Sequence, residues 1–418
     1  MKTSHILVFY CLAIILVLFG CAGVDSQPPG EKDETMATDT DPWPQLLVRN
    51  DALSGAPEWE ATVAAVNQAS SALISNPEDA AALLKLAKIY TNEARVTGEH
   101  GYYYPAILDL IDRALACRTI SGEQRLDAYG LRANTLLSQH RFADALEAAE
   151  YAVSLNPDKP SAYAALVDAC VEMGHYEAAL EHAQTLLNMR PDLVSYARAS
   201  YLREIHGDID GAIEAMKMAV NAGYPGRENA EWARITLAEM LARYDDPVLA
   251  ERLYREALEV RDNYPFALAG LAALHLDAGR YADAESYYLR AIEVIPEFSF
   301  QEGLLQVYLA TGRTSEAQEA YAELLAMLED DMDHGHIMNM EYAEVLLTYG
   351  DAPEKALPFV LKEYQERPEN IDVNLLLAEI YAALDQPAKA RAHLEAAQVT
   401  GSQNPELLTL SQTLAMLQ

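Results

Sequence analysis

The chain has 418 residues, of which 64 are acidic and 30 basic, giving a formal net charge of −34; 51% of it is apolar and 8% aromatic. That is enough apolar content for a large core and too much for global disorder. A charge of this sign excludes a nucleic-acid backbone as partner, since that needs a basic face to displace its counterions, and four cysteines exclude a disulfide scaffold.

In chain order, residues 1–20 carry Lys2 and then an apolar run over 6–19, short for a bilayer span and laid out like an export signal. Leu18-Phe19-Gly20-Cys21 resembles the lipobox of bacterial lipoproteins. That resemblance implies removal of 1–20, lipid attachment at Cys21, and a body held in the bacterial cell envelope, in the periplasm or on the outer membrane. Cleavage after Ala22 and an uncleaved apolar anchor over 6–24 are the alternatives. Residues 21–56 hold Pro28, Pro29, Pro42, Pro44, Gly30 and the acids Glu31, Asp33, Glu34, Asp39 and Asp41, so they read as an acidic linker. Trp43 and 46–48 are apolar enough to dock on the body.

From Trp59 onward, apolar helical segments alternate with short breaks, and the pattern recurs about every 34 residues. In 160–191, Tyr163 and Leu166 mark the buried stripe of a first helix, Gly174 a tight turn, and Ala179 the close approach of a second helix that Pro191 ends. Leu271, Gly279, Tyr281, Ala284 and Pro296 repeat the scheme, as do Leu304, Gly312, Ala317 and Tyr321. These spacings resemble the tetratricopeptide repeat. One second-helix position aligns at 114, 152, 186, 219, 257, 291, 324, 363 and 397. The resemblance therefore implies an all-α, right-handed superhelical solenoid of about nine helix pairs over 57–418, opened by a capping helix near 58–74. Longer connections fall at every third repeat, around 116–126, 221–231 and 326–336, and 91–105 reads as a stretched turn inside the first repeat.

In this family the first helix of each pair lines a concave groove that takes a peptide or protein segment. Carried over by position, the groove includes Asn134, Asp168, Glu172, Arg198, Tyr201, Glu204, Trp232, Glu239, Arg243, Phe266, Asp277, Glu302 and Gln306. Arg198, Tyr201, Glu204, Trp232, Glu239 and Arg243 form its candidate binding centre, with the aromatic-plus-Arg composition of a hot spot. The alternative is that Tyr201 and Trp232 pack on neighbouring helices while Arg198 and Glu204 pair. The acidic lean of this face favours a basic or amide-rich partner segment.

His334-Gly335-His336 behind Glu329, Asp330, Asp331 and Asp333 is the one candidate for a metal, against the alternative of a solvated acidic loop. His100 and Tyr102, Tyr103 and Tyr104 read either as a recognition tip or as packing. Cys117 and Cys170 stand too far apart in the array for a disulfide. No phosphate loop, nucleophile elbow or His-Glu-x-x-His motif is present, so no catalytic residue or cofactor is expected. Two functions compete on the sequence: a lipid-anchored scaffold that captures a protein segment, and a ligand- or metal-binding accessory of a transport system.

Overall fold

The computed structural model describes residues 43–54, 58–244 and 246–416. The export signal, Cys21 and the connection up to residue 42 lie outside the described residues. Helix α1 (Asp51–Ser54) and the capping helix α2 (Trp59–Ser75) come first. Among the described residues nine helix pairs follow. The first four are α3/α4 (Ala80–Thr97, His100–Ala116), α5/α6 (Gly122–Ser138, Phe142–Leu155), α7/α8 (Tyr163–Glu172, Tyr176–Met189) and α9/α10 (Leu193–Ile205, Ile209–Ala222). Next come α11/α12 (Glu228–Arg243, Pro247–Val260), α13/α14 (Pro265–Asp277, Tyr281–Val294) and α15/α16 (Phe298–Ala310, Thr314–Asp333). The array closes with α17/α18 (Asn339–Thr348, Pro353–Glu366), α19/α20 (Ile371–Ala383, Pro387–Ala397) and a final single helix, α21 (Pro405–Ala415).

The two helices of a pair differ in sequence because they differ in surroundings. A second helix buries one stripe: α12 sinks Ala250, Leu253, Tyr254 and Ala257, the spacing of one helical face. A first helix is sandwiched between its own partner and the neighbouring repeat, so α13 buries nearly all round, from Ala267 and Leu268 to Leu274 and Leu276. The aligned second-helix position is buried in every repeat: Ala114, Ala152, Leu186, Ala219, Ala257, Ala291, Leu324, Glu363 and Ala397. Six of the nine are alanine, which lets the backbones approach closely. Glycine does the same at Gly270 and Gly303, where a Cβ would run into the rings of Tyr254 and Tyr288. The turn between paired helices needs one residue in the left-handed region. Gly98, Gly174, Gly207, Gly279 and Gly312 supply it, while His140, Asp351 and Asp385 adopt it without being glycine.

Successive turns of the superhelix touch. The turn inside one repeat docks on the connection that precedes the first helix six repeats further on. Gly98 lies against Ile295, a Cβ there meeting its side chain at 3.6 Å. The Ile337 N–H donates to the Gln139 carbonyl at 2.9 Å. A Cβ on Gly174 would meet the backbone of Glu369 and Asn370 at 2.6 and 2.8 Å, and one on Gly207 the carbonyl of Gly401 at 2.5 Å. Polar bonds complete the seam: Asn370 Nδ2 donates to the Glu172 carbonyl at 3.0 Å, and the Ile371 N–H to Tyr176 Oη at 2.8 Å. Arg367 reaches from Glu363 across to Glu172 (3.0 Å) and lies over the Phe142 ring. Glu363, the one charged residue at the aligned position, thus holds the arginine that clips two turns together.

One segment differs from the sequence reading, and another takes the docked alternative that reading left open. Residues 91–105 form no loop; they lengthen α3 to Thr97 and start α4 at His100, with the turn confined to Gly98 and Glu99. Residues 43–54, assigned by composition to the linker, pack on the body. Tyr90 Oη donates to the Pro44 carbonyl (2.6 Å), Tyr102 exchanges bonds with the Gln45 backbone (2.9 and 2.8 Å), and the Leu47 N–H donates to Tyr103 Oη (3.1 Å). Arg49 is buried and makes a two-pronged bond to the buried Glu93, at 2.8 and 2.6 Å. Glu58 pairs with Arg261, and Asn50 Nδ2 donates to the Val294 carbonyl, so this strap ties the first repeat to the fifth and sixth. Of the tyrosines read as a recognition tip or as packing, Tyr102 and Tyr103 pack as the clasp for this strap, and Tyr104 lines the inner cavity stacked on His100.

Candidate binding lumen

Because the turns touch, the inner face is partly enclosed. A cavity of about 2220 Å³ runs along it, lined by the first helices α3, α11, α13, α15 and α17, with α16 and the start of α4 contributing. The period of 34 residues sets an aromatic series on this wall. Trp232, Phe266 and Phe300 occupy one position of three successive first helices. Their rings stack edge to face, Trp232 on Phe266 at 4.9 Å and Phe266 on Phe300 at 5.6 Å between centroids. Phe300 is the member that reading from sequence missed, although the interval of 34 that links 232 to 266 also reaches 300.

Of the six residues expected to form the binding centre, Trp232 and Glu239 line the cavity. The other four serve the framework. Arg198, only 1% exposed, brackets two repeats: it donates to the Ala164 carbonyl (3.0 Å), the Val194 carbonyl (3.1 Å) and Asp168 Oδ2 (2.5 Å). It holds the position that Trp232, Phe266 and Phe300 hold in later repeats, but turns into the stack. Tyr201 packs between two core clusters. Glu204 pairs with Arg243 rather than with Arg198, and accepts from Tyr244 Oη at 3.0 Å. Of the wider groove set, Phe266, Glu302 and Gln306 reach the cavity.

The wall carries twelve carboxylates against four lysines and arginines. Several have pKa values raised well above the ordinary carboxylate range. Burial pushes Glu239 up to about 8, with Arg243 opposing the shift. Burial likewise takes Glu302 to about 7, although Tyr349 donates to it at 2.8 Å. Glu344 is raised well above its usual value by burial and by Glu341, Glu302, Glu379 and Glu406 around it. Met338, Glu341 and Glu344 recur every third residue and all line the cavity, so the helical face was readable; the wall opposite was not.

The acidic His-x-His stretch is the end of a helix rather than a loop, with Glu329, Asp330, Asp333, His334 and Gly335 exposed to solvent. Residues 329–333 end α16, and His334 to Ile337 form part of the seam. His336 is buried, its Nδ1 bonded to the Asp331 carbonyl at 3.1 Å; burial, then neighbouring His100, lowers its pKa to about 4. Among the described residues no group of three or more His, Cys, Asp or Glu is placed to hold a metal ion. Cys117 and Cys170 are free and buried, and burial pushes the Cys170 thiol up to about 12. No helix among the described residues is long and apolar enough to cross a membrane.

Stacked helix pairs, nearly all-round burial of the first helices and an inner cavity define an all-α repeat solenoid. Two family patterns described as tetratricopeptide repeat match it, one over 136–203 and 351–414, the other over 243–299, so these stretches of the solenoid are tetratricopeptide repeats. Neither match extends to a catalytic domain, and tetratricopeptide repeats generally bind protein partners. Comparison with curated protein sequences finds no match. Solved structures with a similar fold include the Cut9–Hcn1 hetero-tetramer of the APC/C (13% identity, 87% of this chain and 61% of that one, TM-score 0.47). Others are human IFIT1 (12%, 82% and 87%, TM-score 0.48) and Pseudomonas aeruginosa PilF (16%, 50% and 92%, TM-score 0.38). The chain thus spans about three-fifths of the Cut9–Hcn1 chain, and these likenesses concern the fold alone.

Proposed function

We propose that this protein is a membrane-tethered scaffold of the bacterial cell envelope that holds an extended segment of a partner protein inside its superhelix. The observation that carries this reading is the aromatic series Trp232, Phe266 and Phe300 along a partly enclosed, carboxylate-rich cavity. Stacked aromatics supply contact area at little entropic cost, and a pre-formed wall adds little ordering cost of its own. A cavity this large exceeds the roughly 300–1,000 Å³ of ordinary small-molecule pockets and suits a chain. Tethering rests on the lipobox-like sequence at Cys21, which precedes the docked strap. Several acyl chains would hold so acidic a body at a bilayer without a membrane-facing helix.

Site-specific photocrosslinking tests the scaffold role. A crosslinking residue at Met327, on the cavity wall, should capture a discrete partner, and one at the exposed Leu180 on the outer surface should not. Equal yields at the two positions would reject the inner face as the binding site. Tethering has its own check: Cys21→Ser should move the protein from the membrane to the soluble fraction.

A further inference from the structure

Among the described residues, Glu341 and His336, which both line the cavity, each carry a buried acceptor atom with no hydrogen-bond partner. Glu341 is 5% exposed; its Oε1 lies 3.3 Å from Nδ1 of His140, and its Oε2 accepts from nothing. His336 is 7% exposed; its Nδ1 faces the Asp331 carbonyl, and its Nε2 is unbonded. A carbonyl can only accept, so Nδ1 carries the proton and Nε2 presents a lone pair when the ring is neutral. The two residues belong to one patch. The bond from the Ile337 N–H to the Gln139 carbonyl stitches the strand after His336 to the strand before His140, and His140 in turn meets Glu341. Asp330, Asp331 and Glu344 line the same cavity.

A buried acceptor left unbonded is costly, so Glu341 and His336 mark a place where a donor is supplied from outside. An anion would meet two lone pairs, whereas an ammonium or guanidinium would satisfy both acceptors. We propose that Glu341 and His336 form an anchor subsite for a basic side chain, Lys or Arg, of the extended segment held in the lumen. This deepens, and rests on, the segment-binding reading above. The seam makes the subsite: His336 comes from the connection between the seventh and eighth repeats, and His140 from the turn of the second.

Titration calorimetry on the full chain at low salt tests it, with three peptides in one Gly-Ser frame carrying four lysines, four norleucines or four glutamates. The lysine peptide should bind at least tenfold more tightly than the other two. Glu341→Gln should weaken it by about tenfold, the scale of one charge-assisted bond. Glu181→Gln, an equal change of charge on the exposed outer helix α8, should leave it unchanged, and thermal melts verify that both variants are folded. Equal binding of the norleucine peptide, or indifference to Glu341→Gln, overturns the anchor while leaving segment binding intact. Failure of all three peptides together with binding of free spermidine that Glu341→Gln weakens would overturn the peptide source, and with it the segment-binding reading.

Discussion

At the scale of single residues, burial separates framework from site. Arg198 sits in the middle of the face that should meet a ligand, yet its guanidinium is consumed by two carbonyls and Asp168. Arg198→Ala should therefore destabilise the fold by about 3–5 kcal/mol, because it strands a buried carboxylate. Chemical denaturation checks this; a loss of partner affinity at unchanged midpoint would contradict it. Asp385 is exposed and takes a left-handed turn that favours glycine, so Asp385→Gly should raise stability by about 0.5–1 kcal/mol, read as a shift in melting temperature. Both positions were visible in the sequence as residue types. Which way each side chain turns was not, because Arg198 and Trp232 share one repeat position and differ only in what lies next to them.

At the scale of elements, the N-terminal strap is the clearest case. Residues 43–54 have the composition of a linker, but their backbone is bonded by three tyrosines and their one arginine is buried on Glu93. Arg49→Met should release the strap. The amide of Leu47 should then lose hydrogen-exchange protection, while amides in α19 and α20, at the other end of the array, keep theirs. Helix pairs were legible throughout, since a single apolar stripe and a nearly all-round apolar helix alternate with a fixed period. The insertion at 91–105 was misjudged because added residues that keep helical periodicity extend helices as readily as they make loops.

At the scale of the whole molecule, the seam partly encloses the inner face. Gly174 and Gly279 share the left-handed turn conformation, but a Cβ meets the opposite backbone only at Gly174, with nothing within 4 Å at Gly279. Gly174→Ala should therefore lower stability more than Gly279→Ala and enlarge the radius of gyration in solution scattering, with helical content kept in both. Acid should also matter. Glu239, Glu302, Glu344 and Glu379 have folded pKa values raised above the unfolded ones, to about 8, about 7, well above the usual range and about 8. Between an unfolded value of about 4.5 and those raised values the folded state holds more protons, so this stability is present at about pH 5 and lost as pH rises through about 8. The melting temperature should fall across that window, and Glu344→Gln should flatten the fall.

The repeat number, the helix pairs and the aligned second-helix position followed from the sequence alone, because each depends on neighbours within one or two repeats. Closure did not. It depends on a small rotation per repeat summed over six repeats, which brings together residues about 200 positions apart that share no periodic signal. The seam and the two unbonded acceptors on Glu341 and His336 rest on that sum, while the clasped strap and the direction of Arg198 rest on side-chain contacts that no periodicity encodes, so only the tertiary structure decided them.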